Sequence, residues 1–278
     1  MDTETSKTTC MVSPAEMSQI GEDVGVYKAS KRQILSFFSA IPAGAFIAYT
    51  TTQTGSVGGS WGLTKLVGGI VFSLGVIMVV VCGSELFTSS TMTTVARAGG
   101  RISTFQMLRN WVVVYCGNFV GAIFIVLVIW FSGQTMAAHG QWGLTILSTA
   151  QHKIHHTWIE AFCLGILCNI MVCIAIWMTY AGKTLTDKAF IMILPIALFV
   201  ASGFEHSVAN MFMIPMGIIT AHFSSPEFWQ AINMDPQQFA DLDLYHFVVK
   251  NLIPVTLGNI VGGGCCIALT LWSINRPH

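Results

Sequence analysis

Apolar residues run along this chain in six long blocks, at 34–49, 66–82, 111–131, 158–180, 189–219 and 247–272. Several reach the roughly 20 residues that a helix needs to cross a bilayer, so the pattern predicts an all-α membrane protein with six transmembrane helices. Two blocks carry polar interruptions. Gly203-Phe204-Glu205-His206-Ser207-Val208-Ala209-Asn210 breaks the fifth, and Gly83-Ser84-Glu85 closes the second. A Glu beside a His at that depth costs several kcal/mol unless both face protein or a water-filled cavity. A helix broken there must also find partners for its freed backbone groups, which happens where it lines a pathway. Outside the blocks, residues 14–33 place Met17, Ile20, Val24 and Tyr27 three or four apart, which predicts an amphipathic helix. Residues 223–245, with Pro226, Pro236 and four acidic side chains, read as a loop.

Charge sets the expected orientation. With both ends inside, Lys7, Lys28, Lys31, Arg32, Arg97, Arg101, Arg109, Lys183, Lys188 and Arg276 fall on the inner side. Only Lys65, Lys153 and Lys250 fall outside, a bias of ten against three that requires the first block to be a true span despite its shortness and Pro42. The first thirty or so residues lack the apolar core of a signal peptide, so no cleaved leader is expected. The composition, 53% hydrophobic and 9% charged, fits a chain that lives in lipid. A net charge of zero implies nothing about nucleic acid. Of the eight cysteines, Cys82, Cys116, Cys163, Cys168, Cys173, Cys265 and Cys266 lie in or beside spans and read as small core residues; Cys10 does not.

The chain also repeats itself. Arg109-Asn110 is followed, seven residues after the Asn, by Gly117-Asn118-Phe119-Val120-Gly121; Lys250-Asn251 is followed at the same spacing by Gly258-Asn259-Ile260-Val261-Gly262. Gly83-Ser84-Glu85 and Gly203-Phe204-Glu205 match in the same order. Three spans per copy is an odd number, so the second copy must be inverted. Inverted repeats with interrupted helices in matching positions point to a transport site near the midplane. The glycines are expected to let helix backbones pack closely.

Candidate chemistry narrows the reading. His152-Lys153-Ile154-His155-His156 has the spacing of one di-iron box, but the other histidines, His139, His206, His222, His246 and His278, are scattered singly, so no metal site is expected and the box reads as a solvated mouth loop. No phosphate loop, nucleophile elbow or CxxC is present, and the chain does not read as an enzyme. His206 stands at the start of a half-helix, where free N–H groups and the dipole favour an anion. Glu205 would repel that anion, and is expected to accept hydrogen bonds from the broken backbone or to steady His206. Spacing alone leaves Phe72 and Phe199 as core or as lining just outside His206.

Lys65-Leu66-Val67-Gly68-Gly69, Gly83-Ser84-Glu85-Leu86-Phe87-Thr88-Ser89, Gly117-Asn118 and Gly203-Phe204-Glu205-His206-Ser207-Val208-Ala209-Asn210-Met211 resemble the formate–nitrite transporter family, over nearly the whole chain. The resemblance implies an aquaporin-like fold of two inverted three-helix repeats, a homopentamer with one pore per protomer, and passage of formate and similar small monovalent anions, with nitrite or hydrosulfide as the alternative cargo. It implies a bacterial inner-membrane protein in contact with lipid, with both termini cytoplasmic and no cofactor. Residues 1–33 would form the N-terminal segment, 34–274 the pore and 275–278 a short tail. Carried over, His206 and Thr88 are the central pair, with Glu205 and Asn169 beside them. Phe72, Val172 and Phe199 match an outer constriction, and Leu86 and Val76 an inner one, where Leu is usual in place of Val76. Lys153 matches the outer mouth, and Ser89, Asn210 and Asn259 are expected to support the breaks. The N-terminal helix matches a segment tied to acid-dependent gating. The first span departs from the family by its shortness and by Pro42, which is expected to interrupt it.

Overall fold

The computed structural model describes residues 12–51 and 61–276. Helix α1 (Pro14–Ser30) precedes α2 (Gln33–Thr51) and α3 (Trp61–Val81). After a break come α4 (Phe87–Ser90), a 3-10 turn and α5 (Thr94–Ala98), then α6 (Thr104–Phe131). The second half runs α7 (Gln141–Ile154), α8 (Trp158–Thr179), α9 (Leu185–Ala201), a break, α10 (Ser207–Phe223), α11 (Pro226–Ile232) and α12 (His246–Asn275), of which 246–252 and 261–269 are wound as π-helix. Capping boxes start four of these helices, through Ser13 with Glu16, Ser103 with Gln106, Thr157 with Glu160, and Thr184 with Asp187.

Helices α2, α3, α6, α8 and α12 are each long and apolar enough to cross a membrane, and α9 and α10, of 17 residues each, flank the second interruption. Both breaks fall where the polar interruptions predicted. Gly83 (φ +66°) and Gly203 (φ +74°) turn the chain in the left-handed region that a side chain disfavours. The inverted repeat is visible in the crossings. A Cβ on Gly121 would lie 2.0 Å from the Ile41 carbonyl, and one on Gly262 2.2 Å from the Ile166 carbonyl. Gly117 against Phe37 and Gly258 against Phe162 repeat the contact. These glycines bring α2 onto α6 and α8 onto α12 at backbone distance.

Three expectations change. Pro42 does not interrupt the first span, because it sits inside a continuous α2. Its ring denies the Phe38 carbonyl its helical hydrogen bond, while the nearby carbonyls of Ser39 and Ala40 accept additional bonds from Glu85 N (3.2 Å) and Asn118 Nδ2 (2.8 Å). On α1 the packed stripe is Ser18, Gly21, Gly25 and Ala29, while Tyr27 is exposed. Small residues win there because they admit close approach: a Cβ on Gly25 would lie 2.8 Å from that of Ala96. Among the cysteines, only Cys168 and Cys173 are buried; Cys82, Cys116, Cys163, Cys265 and Cys266 face outward, where lipid or a neighbour is as apolar as a core, and Cys10 lies outside the described residues.

Two further features escaped the pattern. Residues 223–245 are not a plain loop: α11 and a turn at Pro236–Phe239 bury Phe228, Ile232, Phe239 and Leu242. Helix α7 carries most of the histidine box that read as a solvated loop. It crosses α10 as α1 crosses α5, with a Cβ on Gly217 2.4 Å from that of Ala150. Helices α1 and α7 are therefore counterparts in the two repeats.

Candidate functional site

The two breaks are built from the same parts. At the first, Asn118 Oδ1 accepts from Phe87 N (2.8 Å), while its amide donates to the carbonyls of Ala40 (2.8 Å) and Glu85 (2.9 Å). At the second, Asn259 Oδ1 accepts from Ser207 N (3.0 Å), and its amide donates to the carbonyls of Gly165 (2.8 Å) and Glu205 (3.0 Å). Each break thus satisfies in protein the backbone groups that lipid would leave bare. Asn110 Nδ2 donates to Glu85 Oε2 and Asn251 Nδ2 to Glu205 Oε2, both at 3.2 Å. The same two amides donate to the carbonyls of Lys28 and Lys153.

Each acid is paired with a cation. Lys31 Nζ lies 3.0 Å from Glu85 Oε1 and Lys153 Nζ 2.7 Å from Glu205 Oε1. Asn210 Nδ2 donates to Glu205 Oε2 (2.6 Å) and Asn251 Oδ1 (2.7 Å). Glu205, 1% exposed, is therefore an anchor of the broken helix and makes no contact with His206 in the described network.

His206 is the N-cap of α10. Its Nδ1 accepts from Ala209 N at 3.1 Å, which leaves the proton of the neutral ring on Nε2. Nε2 lies 3.2 Å from Thr88 Oγ1. The half-helix N–H groups of Ser207 and Ala209 are thus already taken by Asn259 and His206, so fewer face an anion than the sequence suggested. Thr88 is set from behind: its carbonyl accepts from Thr91 Oγ1 (2.7 Å), Asn169 Nδ2 (3.1 Å) and Cys173 Sγ (3.4 Å). Asn169, expected beside the central pair, spends its amide on Thr88 O, Thr91 Oγ1 and Asn259 O, tying the two repeats together.

The Phe72 and Phe199 rings meet edge to face at 5.4 Å, and their centroids lie 6.3 and 5.9 Å from that of His206. These three residues, with Lys153, Glu205, Thr50 and Gly203, line a cavity of about 420 Å³. On the opposite side a cavity of about 560 Å³ opens between α1 and the first break, lined by Lys28, Lys31, Val79, Glu85 and Ser89 among others. Val172, Val76, Leu86 and Thr88 are fully buried and line neither cavity. Ser89 accepts from Lys28 Nζ at 3.0 Å.

The histidine box disperses. The His155 ring bonds Asp241, which with Gln151 ties α7 to the 236–242 segment. His152 meets the edge of His156 at 4.9 Å, and His156 Nε2 stands 3.8 Å from Glu205 Oε1. Lys28, Lys31, Asn110 and Asn251 were not foreseen as break support. The repeated Arg109-Asn110 and Lys250-Asn251 pairs marked two of them, but only the fold shows what they reach.

Inverted repeats, two broken spans and a buried polar pair beneath one of two opposed cavities define a membrane transport protein built around a path between its halves. Comparison with known proteins agrees. The formate/nitrite transporter family model matches residues 15–273. The formate channel FocA of Haemophilus influenzae is 72% identical over 272 residues, covering 96% of both chains, and that of Escherichia coli K12 is 56% identical, covering 94% of this chain and 93% of the relative. A solved pentameric formate channel with formate bound superposes with a TM-score of 0.82 at 48% identity, over 87% of this chain and 97% of its own. The chain belongs to the formate/nitrite transporter family, whose members are channels and transporters.

Proposed function

We propose that this protein passes formate and related small monovalent anions across the bacterial inner membrane, as a homopentamer with one path per protomer and both termini cytoplasmic. The observation that carries the reading is the His206 Nε2–Thr88 Oγ1 pair at 3.2 Å, directly beneath the Phe72–Phe199 rings. A carboxylate loses strong hydration in so apolar a place, and a narrow dry ring is a large barrier to an ion. Thr88 and His206 offer hydrogen bonds beyond the ring. A proton passed from His206 to the anion would lower the barrier further, because the neutral acid sheds its water more easily. Phe72, Phe199 and Val172 form the outer constriction, Leu86 and Val76 the inner. Lys153, Ser89, Asn210 and Asn259 hold the mouths and breaks, and α1 gates the inner cavity in response to pH. The relatives named above as formate channels support formate as the cargo.

The test is flux. Purified oligomer in liposomes is expected to release formate faster in acid than at neutral pH, in competition with nitrite. Vesicles no more permeable to formate than protein-free ones would overturn the reading.

A further inference from the structure

The two breaks record two arrangements of the same groups. At the first, Lys31 holds Glu85, and Lys28 Nζ is left to donate to Ser89 Oγ (3.0 Å) and Ser90 Oγ (3.5 Å). At the second, Lys153, the counterpart of Lys28, holds the acid instead. The place of Lys31 is taken by His156, whose Nε2 is buried, 3.8 Å from Glu205 Oε1, and without a hydrogen-bond partner. The place of Ser90 is taken by Asn210, whose Oδ1 is likewise buried and unpartnered. Buried orphan polar atoms cost about 1–3 kcal/mol each. The first break leaves two as well, Glu85 Oε1 and Asn110 Oδ1, but at the second one of the two is a titratable ring nitrogen.

We propose that His156 is a proton-driven exchange partner of Glu205. On taking a proton from water, its Nε2–H donates to Glu205 Oε1, the place that the Lys31 ammonium occupies beside Glu85 in the first break. Lys153 Nζ is then released to donate to Asn210 Oδ1, as Lys28 donates to Ser90. Both orphan atoms gain partners, and the ammonium of Lys153, already on the wall of the cavity that ends at His206, moves free of its counter-charge. His156 acts as a positioning residue for Lys153 and couples pH on the α7 side to the charge an approaching anion meets.

The groups facing His156 are Glu205 and Glu160, which favour its cation, and Lys153 and His152, which oppose it. It stands in the turn between α7 and α8, outside the spans. Burial, more than either neighbouring cation, holds its pKa below the ordinary histidine value, so the ring is neutral at neutral pH and the exchange belongs to acid.

The consequence for flux rests on the anion-transport reading above; the exchange itself is tested by side-chain geometry. Structures of the full-length oligomer in nanodiscs at neutral pH and at about pH 5 should show His156 Nε2 closing on Glu205 and Lys153 leaving it in acid only. His156→Gln should keep the Lys153–Glu205 pair at both pH values, and His156→Lys should show the exchanged arrangement at both. A Lys153–Glu205 pair unchanged in acid in the native protein overturns the proposal. In liposomes acidified on the α7 side, His156→Gln should cut the acid-stimulated gain in formate flux by at least about twofold. A full gain in that variant overturns the coupling to flux. Should the native protein pass no formate, the transport reading fails, and the structures still decide the exchange.

Discussion

The break after α3 and the break after α9 share a glycine at positive φ, an acid, and two asparagines whose amides donate to matching acceptors. They differ in the residue that begins the half-helix: Leu86 makes no side-chain cap, whereas His206 caps α10 and reaches Thr88. They differ also in what stands four residues before the glycine: Val79 on the first side, Phe199 on the second. Duplication supplied one scaffold twice. The chemistry was then placed at one end of it by a few substitutions that leave the backbone network intact.

If the scaffold is truly shared, damage to either copy should be equal and severe. Gly121→Val and Gly262→Val each push a side chain into a backbone carbonyl, 2.0 Å and 2.2 Å from the Cβ. Both should abolish the assembled oligomer on size exclusion; tolerance of one alone would break the equivalence. Next in size, Asn118→Ala and Asn259→Ala each remove three buried hydrogen bonds. At about 1 kcal/mol apiece, with orphaned partners added, each should cost on the order of 3 kcal/mol. Apparent Tm should fall by a similar amount in both variants, and a clear inequality would show that one break relies on other support.

The difference between the breaks should appear in flux and hardly in folding. His206→Leu turns the second break into a copy of the first. It forfeits one N-cap bond, worth about 1 kcal/mol, and should remove acid-stimulated formate flux by about tenfold or more, the change expected for 1.4 kcal/mol of barrier. A near-normal pH response in correctly assembled His206→Leu would remove the histidine from the mechanism. His206→Asn keeps polarity without a donated proton, and should retain anion conduction while losing uptake of the neutral acid. Phe72→Ala or Phe199→Ala should make the apolar ring as open as the Val79 side, raising lactate flux relative to formate a few-fold. Unchanged ratios in both variants would place the rings in the core.

The smallest effect concerns the lids. Helix α7 is clamped by the 236–242 segment through Asp241, whereas α1 is held to the short 99–103 turn by the exposed pair of Asp23 and Arg101. The hydrogen bond from Arg101 sets the Asp23 carboxyl below its ordinary value, and backbone and side-chain bonds with Ser13 do the same for Glu16. Stability from carboxyls lowered in the folded state is complete above their unfolded values near 4 and is lost as pH falls through the folded ones. Protease cleavage of α1 should therefore stay slow at about pH 5 and quicken only toward about pH 3. Release at about pH 5 would mean that another group drives it. Asp23→Asn should speed cleavage slightly at neutral pH, as expected for a surface pair.

The apolar blocks, the two interruptions and the Gly-Asn repeats determined six spans, two breaks and an inverted duplication. Each is a local pattern: burial in lipid requires a long apolar run, and a broken helix requires a glycine and polar groups within a few residues. The tertiary structure alone decided that α2 runs unbroken through Pro42, docked onto Asn118 of α6 through the Ala40 carbonyl. It alone showed that α1 packs by its glycines, and that α7 is its counterpart. It gave Asn169 and Glu205 their hydrogen-bond partners, and brought Lys28, Lys31 and His156 to the breaks. Those roles depend on which side chain fills a hydrogen bond left open by a segment some forty to one hundred residues away in the chain. No periodicity along the sequence encodes that distance; only the folding of two inverted repeats onto one another closes it.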